Sequence, residues 1–169
     1  IRYWNGYISN VRITKQALYT SNFTPSTAAL TTTSQGASAA NLIFLGCQTN
    51  ISTENSKVID LSSVDSTITR NTSPAVSSFS PYGNTWSVLF DGTGDYINSA
   101  NTVACNMGSG NFTIEGWFYS TSYTDPQRII NNWDTTTATA ASWEILLGAG
   151  NTVYFSCSTA GAANALSLS

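Results

Sequence analysis

Two glutamates, Glu115 and Glu144, are the residues of this chain best suited to reaction chemistry. Each sits in a short segment of mixed apolar and polar residues, Asn111-Phe112-Thr113-Ile114-Glu115-Gly116-Trp117-Phe118-Tyr119 and Ser142-Trp143-Glu144-Ile145-Leu146-Leu147. A pair of carboxylates is what glycoside hydrolysis requires, one as acid and one as base or nucleophile. Asp91 and Asp95 close the run Asp91-Gly92-Thr93-Gly94-Asp95. Hard oxygen ligands on a tight turn suit calcium, but two carboxylates are few for that ion. Turn formation alone accounts for both, because glycine takes positive φ freely and aspartate caps its own turn. Tyr123, Asp125, Trp133 and Asp134 lie in or beside a polar loop. An aromatic face stacked on a sugar, with a carboxylate accepting hydroxyl protons, makes a glycan site; the same aromatics suit a core or a repeat interface.

Other chemistries are absent from the residue list. The chain has no histidine, which excludes a His-containing zinc site and a Ser-His-Asp triad within these residues. Cys47, Cys105 and Cys157 are odd in number and show no CxxC spacing. One disulfide fits an oxidising compartment, but three buried thiols acting as small apolar fillers is the favoured reading. Only 9% of residues are charged and the net charge is -3; with no run of Lys or Arg, nothing resembles a phosphate-neutralising patch, and nucleic acid is not an expected partner. No apolar run approaches the roughly 18 to 20 residues that span a bilayer, so membrane insertion is not expected either, and no signal peptide is visible. The chain opens on Ile1 and stops at Ser169 within an Ala/Ser/Leu pattern, which reads as an internal fragment. Asn22, Asn50, Asn71 and Asn111 sit in Asn-x-Ser/Thr sequons, which chance supplies in a sequence this rich in Asn, Ser and Thr.

The elements that must position these residues read as strands. Phe112, Ile114, Gly116 and Phe118 alternate with Thr113, Glu115, Trp117 and Tyr119, the period of a strand packed on one side. Val88 and Phe90 share a face of a strand before the Asp91–Asp95 turn. Residues Asn41 to Cys47 form a continuous apolar run, long enough for a strand buried on both sides and too short for a helix. Ser66 to Arg70 is rich in β-branched residues, and Asn71 to Asn84, with Pro74, Pro81 and Gly83, is irregular or edge-like. Arg128 to Trp133, Ser142 to Leu147 and Thr152 to Cys157 give three more strands, the last two joined by a hairpin at Gly148-Ala149-Gly150-Asn151. In residues 1 to 24, Trp4, Ile8, Val11 and Ile13 mark strand faces around a bend or bulge at Gly6; Thr14 to Phe23 alone hints at helical spacing, for a turn or two. Pro25 to Ala40 is rich in Ser, Thr and Ala, with Leu30 its only large aliphatic residue, and reads as a surface linker. Short strands separated by turn chemistry predict an all-β fold, an antiparallel β-sandwich or jelly roll.

In order, Leu42-Ile43-Phe44-Leu45, Asp60-Leu61-Ser62-Ser63, Val88-Leu89-Phe90-Asp91-Gly92-Thr93-Gly94-Asp95-Tyr96-Ile97 and Asn111-Phe112-Thr113-Ile114-Glu115-Gly116-Trp117-Phe118 resemble the first half of a laminin-G-like, concanavalin A-like jelly-roll domain. Trp4-Asn5-Gly6-Tyr7-Ile8-Ser9-Asn10-Val11-Arg12-Ile13, with Ala17-Leu18-Tyr19 and Phe23-Thr24-Pro25, resembles the closing strand and tail of the same family. Tail before head suggests a tandem array cut out of phase: 1–24 closing one repeat, 25–40 a linker, and 41–169 the first part of a second domain, incomplete at its C-terminal end. The rival is a circular permutation in which 1–24 closes the domain begun at Asn41.

Domains with this wording resemble those of bacteriophage virion proteins, such as tail fibres and capsid decorations, and of large secreted bacterial proteins. The resemblance implies a non-catalytic structural or adhesive module, in a virion or outside the cell. Its expected partners are other copies or neighbouring repeats, with cell-surface glycans as the alternative. Glycosidases of this fold carry two glutamates and an aspartate alternating on one strand; here the places flanking Glu115 hold Thr113 and Trp117, so Glu115 is expected to be a solvated outward residue. No cofactor is expected, apart from the weak calcium candidates Asp91 and Asp95.

Overall fold

A computed structural model of the chain describes residues 3–49, 58–100, 103–122, 126–132, 142–158 and 166–168. Eleven strands occur among them: β1 (Asn5–Thr14), β2 (Leu42–Gly46), β3 (Ile68–Asn71), β4 (Ala75–Ser77), β5 (Ser87–Asp91), β6 (Tyr96–Ser99), β7 (Thr113–Ser120), β8 (Gln127–Asn132), β9 (Ser142–Leu147), β10 (Val153–Ser158) and β11 (Leu166–Leu168). All pair antiparallel. One sheet runs β2-β1-β5-β4 with β7 on the other side of β1, a second runs β11-β10-β9-β8, and β3 and β6 form a two-stranded ribbon. Trp4, just before β1, and Ile8, Val11, Ile13, Val88 and Phe90 of the first sheet share one core with Trp143 and Leu147 of the second. The chain is therefore an all-β antiparallel sandwich, and no helix among the described residues is long and apolar enough to cross a membrane.

β1 is the strand around which the first sheet is built. Its first half pairs with β5, from Asn5 opposite Asp91 to Ile8 opposite Val88. Its second half pairs with β2, from Val11 opposite Gly46 to Thr14 opposite Leu42. Its other edge follows β7 throughout, but the register shifts between Ser9, opposite Trp117, and Arg12, opposite Glu115. Three steps on β1 thus match two on β7, a bulge of one residue. Asn10 sits in it at φ 51, a left-handed conformation that asparagine tolerates better than most residues. The extra residue reverses parity, so even-numbered Trp4 and Ile8 face the same core as odd-numbered Val11 and Ile13. The bulge expected at Gly6 lies here instead. Gly6, at φ 141, meets a different need: a Cβ there would run into the carbonyl oxygen of Tyr119 on β7.

The alternation read in β7 holds. Ile114 packs against the core and Phe118 meets Trp4 edge-on at 5.7 Å, while Glu115, Trp117 and Tyr119 face outward. The hairpin at 148–151 joins β9 to β10, with Leu147 opposite Val153. Thr14 to Phe23 forms no helix; Tyr19 and Phe23 stack instead, ring centres 3.9 Å apart, an aromatic pair that mimics helical spacing. All three cysteines are free thiols, Cys47 buried and Cys105 and Cys157 half-buried.

The segment expected as a linker, 25–40, runs over the surface but is tied to the sheet. Leu30 is buried with Leu42 and Leu45 in a small second cluster, on the face of the sheet away from the main core. Its apolar area is small, as the sequence indicates; polar partners on β1 supply the rest of its anchoring. β1, from the residues read as the close of a preceding repeat, hydrogen-bonds to β2, β5 and β7 of the same chain.

Candidate functional site

The outer face of the first sheet divides in two at the bulge. One half is closed by the 25–40 strap. Asn10 accepts the Leu30 N–H on Oδ1 at 3.2 Å and donates from Nδ2 to Ser9 Oγ at 2.8 Å. Arg12, wholly buried, donates from Nη1 to the carbonyls of Thr31 and Ser34, both at 2.8 Å. Its Nε and Nη2 lie 2.7 and 2.6 Å from Glu115 Oε1. Glu115 Oε2 accepts the Tyr19 hydroxyl at 2.7 Å. Burial, then the hydrogen bond to Glu115 and its negative charge, push the Tyr19 hydroxyl up to about 12. Glu115 faces outward as expected, but it is held by a buried guanidinium rather than by water.

The other half is open and aromatic. Tyr7 on β1 lies opposite Tyr119 on β7, their ring centres 6.3 Å apart, and Phe79 packs against both at 4.6 and 5.1 Å. Phe79 and Tyr119 are 50% and 56% exposed, and Trp117 beside them 40%. A crevice of about 170 Å³ opens between Tyr7, Phe79, Trp117 and Tyr119. The floor is fixed by hydrogen bonds. Trp117 Nε1 donates to the Tyr82 hydroxyl at 2.7 Å, and that hydroxyl donates to the carbonyl of Ser26 at 3.0 Å. Tyr82 itself is buried and meets Trp117 edge-on at 6.1 Å. Rigid aromatic rings, those of Tyr7, Trp117 and Tyr119 each with one polar handle, are suited to contact another molecule.

This face continues to an open strand edge. β7 hydrogen-bonds to β1 and, among the described residues, to no other strand. On its inner side Phe118 is 42% exposed, so the edge is flanked by apolar side chains above and below.

The carboxylates singled out for chemistry are engaged elsewhere. Glu144 accepts Arg128 Nε on Oε2 at 2.9 Å, with Nη2 at 2.7 Å; it belongs to the second sheet, while Glu115 lies on the outer face of the first. Asp95 is buried and joins two turns: Oδ1 accepts the Thr72 hydroxyl and the Ser73 N–H, and Oδ2 accepts the Asp91 N–H. Burial by itself raises the carboxyl, but these hydrogen bonds outweigh it and hold the group below its usual range. Asp91 Oδ1 accepts the Thr93 N–H at 2.6 Å, as expected of a turn-capping aspartate. A cation shared by the pair would have to displace the donors on Asp95, and no group of three or more Cys, Asp or Glu suited to a metal occurs among the described residues. Burial pushes the Cys47 thiol up to about 12 and also raises Cys105, leaving little of the thiolate that a nucleophile needs.

A cleft of about 970 Å³ runs between the sheets and is lined mainly by core residues such as Trp4, Val11, Phe90 and Trp143. The charged groups at its margin, Glu115, Asp95 and Arg128, are the ones already hydrogen-bonded above. The glycan candidates Tyr123, Asp125, Trp133 and Asp134 lie outside the described residues. The aromatic face was not singled out from the sequence. Its members come from three segments, and only Trp117 and Tyr119, two apart on a strand's outward side, carried a local signal. No family model, curated protein or solved structure matches the chain.

Proposed function

We propose that this chain is a non-catalytic structural and interaction module of a repeat-built virion or extracellular protein, of the laminin-G-like jelly-roll kind its motifs resemble, and that it works through the aromatic face and edge of β7. The observation that carries this reading is the run Trp117-Phe118-Tyr119, three consecutive large side chains each at least 40% exposed on both sides of an edge strand. Large apolar groups grouped on a surface mark contact sites, and an unpaired strand edge is a ready template for another chain. The engagement of Glu115 by Arg12 supports the absence of catalysis, because a general acid or base must be free to exchange its proton with substrate.

Sedimentation velocity of the whole chain, alone and against the Trp117→Ser/Tyr119→Ser double variant, tests the reading. Association weakened at least tenfold in the variant is expected; equal association would remove the role of this face. Polysaccharide turnover in a reducing-sugar assay that Glu115→Gln abolishes in a folded variant would overturn the non-catalytic assignment.

The crevice between Tyr7, Phe79, Trp117 and Tyr119 favours a second reading, an adhesin module that stacks sugar rings of cell-surface glycans on these aromatics. Binding on a glycan array that Tyr119→Ala removes would establish it in place of the first.

A further inference from the structure

Resting on the interaction reading above, we propose that β7 pairs antiparallel with β7 of a second copy of this chain, across a two-fold axis passing between the two Gly116 residues. The sheet would then continue from one molecule into the next.

The edge lacks the devices that usually keep edge strands apart. Natural sheets blunt their edges with lysine, proline or bulges; β7, Thr-Ile-Glu-Gly-Trp-Phe-Tyr-Ser, contains no lysine, arginine or proline. Its one charge is Glu115, and that carboxylate is already matched by Arg12 of its own molecule at 2.6 Å. Bringing two such edges together therefore sets no unpaired charge against another. The exposed main-chain N–H and C=O groups call for a strand rather than a helix or a flat apolar surface.

Geometry selects the register. Residues directly opposite in an antiparallel pair lie on the same face, so a strand paired with itself must be centred on a residue, not between two. Centring on Glu115 would oppose two carboxylates. Centring on Trp117 would set Ile114 against Ser120 and leave Phe118 facing a glycine. With Gly116 at the centre, Ile114 meets Phe118 twice on the inner face, Thr113 meets Tyr119 twice on the outer face, and Glu115 lies opposite Trp117. The residue on the axis then has no side chain to clash with its copy. Gly116 and Phe118 are both exposed in the single chain, and this register covers them. A two-fold contact of this kind is self-limiting, because both chains use the same β7 edge in it and so leave no β7 edge for a third.

Hydrogen exchange measured over a range of protein concentrations tests this on the intact chain. The outward-pointing amides of 113–119 should gain at least tenfold protection as the chain associates. Tyr119→Lys, an exposed position where a lysine leaves the core untouched, should raise the dissociation constant at least tenfold. In a mixture of isotopically labelled and unlabelled chains, intermolecular NOEs should join Ile114 of one copy to Phe118 of the other. Association without protection of β7, or NOEs in another register, would overturn the β7 pairing while leaving association through the aromatic face intact; association indifferent to Tyr119→Lys would overturn both, since Tyr119 belongs to that face as well. A chain that stays monomeric at every concentration would overturn both.

Discussion

Arg12 and Glu115 face each other across β1 and β7, with Nη2 and Oε1 2.6 Å apart, and the guanidinium is wholly buried while the carboxylate keeps 17% of its surface. The same arginine donates to Thr31 and Ser34 of the strap. One buried cation therefore joins the central strand, the edge strand and the 25–40 segment, and it depends on one carboxylate for its charge balance.

Glu115→Gln should accordingly destabilise the chain by about 3 kcal/mol, since breaking a buried pair leaves an uncompensated charge. Replacing both partners, Arg12→Met with Glu115→Leu, should cost far less than the single change. Urea unfolding of the two variants checks this; equal losses would mean that the pair contributes only its packing.

The bulge at Asn10 makes a second prediction. Asn10→Gly keeps the left-handed backbone accessible but leaves the Leu30 N–H without its acceptor, a loss of about 1 to 3 kcal/mol. Asn10→Ala loses the same bond and adds strain at positive φ, so it should be the less stable of the two in thermal unfolding.

The strap should respond to its one large apolar anchor. Leu30→Ala should cost about 2 to 3 kcal/mol, as for other buried leucines, and should make the bonds between 25 and 40 cleavable by protease before the sheet unfolds. Proteolysis followed by mass spectrometry locates the cut; cleavage elsewhere first would contradict the anchoring role.

Stability should fall at alkaline pH. Tyr19 and Cys47 have folded values of about 12 against ordinary values of 10.0 and 9.0. Groups raised on folding contribute stability that is full below the ordinary value and is lost as pH rises toward the folded one, here from about 9 to about 12. Tyr19→Phe and Cys47→Ala should each flatten that fall in chemical unfolding measured across the window. Asp95 has the opposite sign: its contribution is present above 3.8 and is lost as pH falls through its lowered folded value. Asp95→Asn should flatten the acid limb and lower stability at neutral pH.

The strands were legible because their signals are local. The alternation in 112–119, the apolar run at 41–47 and the glycine-rich hairpin at 148–151 each contain what specifies them. The position of β1 was not legible, because pairing partners lie from about 30 to more than 100 residues away and nothing in residues 1–24 states which sheet they join. The bulge escaped for a related reason: Gly6 is the conspicuous residue, whereas Ser9-Asn10 is ordinary surface sequence until register fixes its parity. The strap looked free because its anchors are an arginine and an asparagine on β1, invisible to any count of its own apolar residues. The aromatic face is a product of the same register, which brings Tyr7 beside Tyr119.

The bulged docking of β1 on β7 is what builds the outer face and its open edge, and cross-strand NOEs test it most directly. Contacts from Ile8 to Phe118 and from Ile13 to Ile114 should appear together, although the two positions lie five residues apart on β1 and four apart on β7. Equal spacing on the two strands, or no contact between residues 5–14 and 113–120 within one chain, would contradict the account.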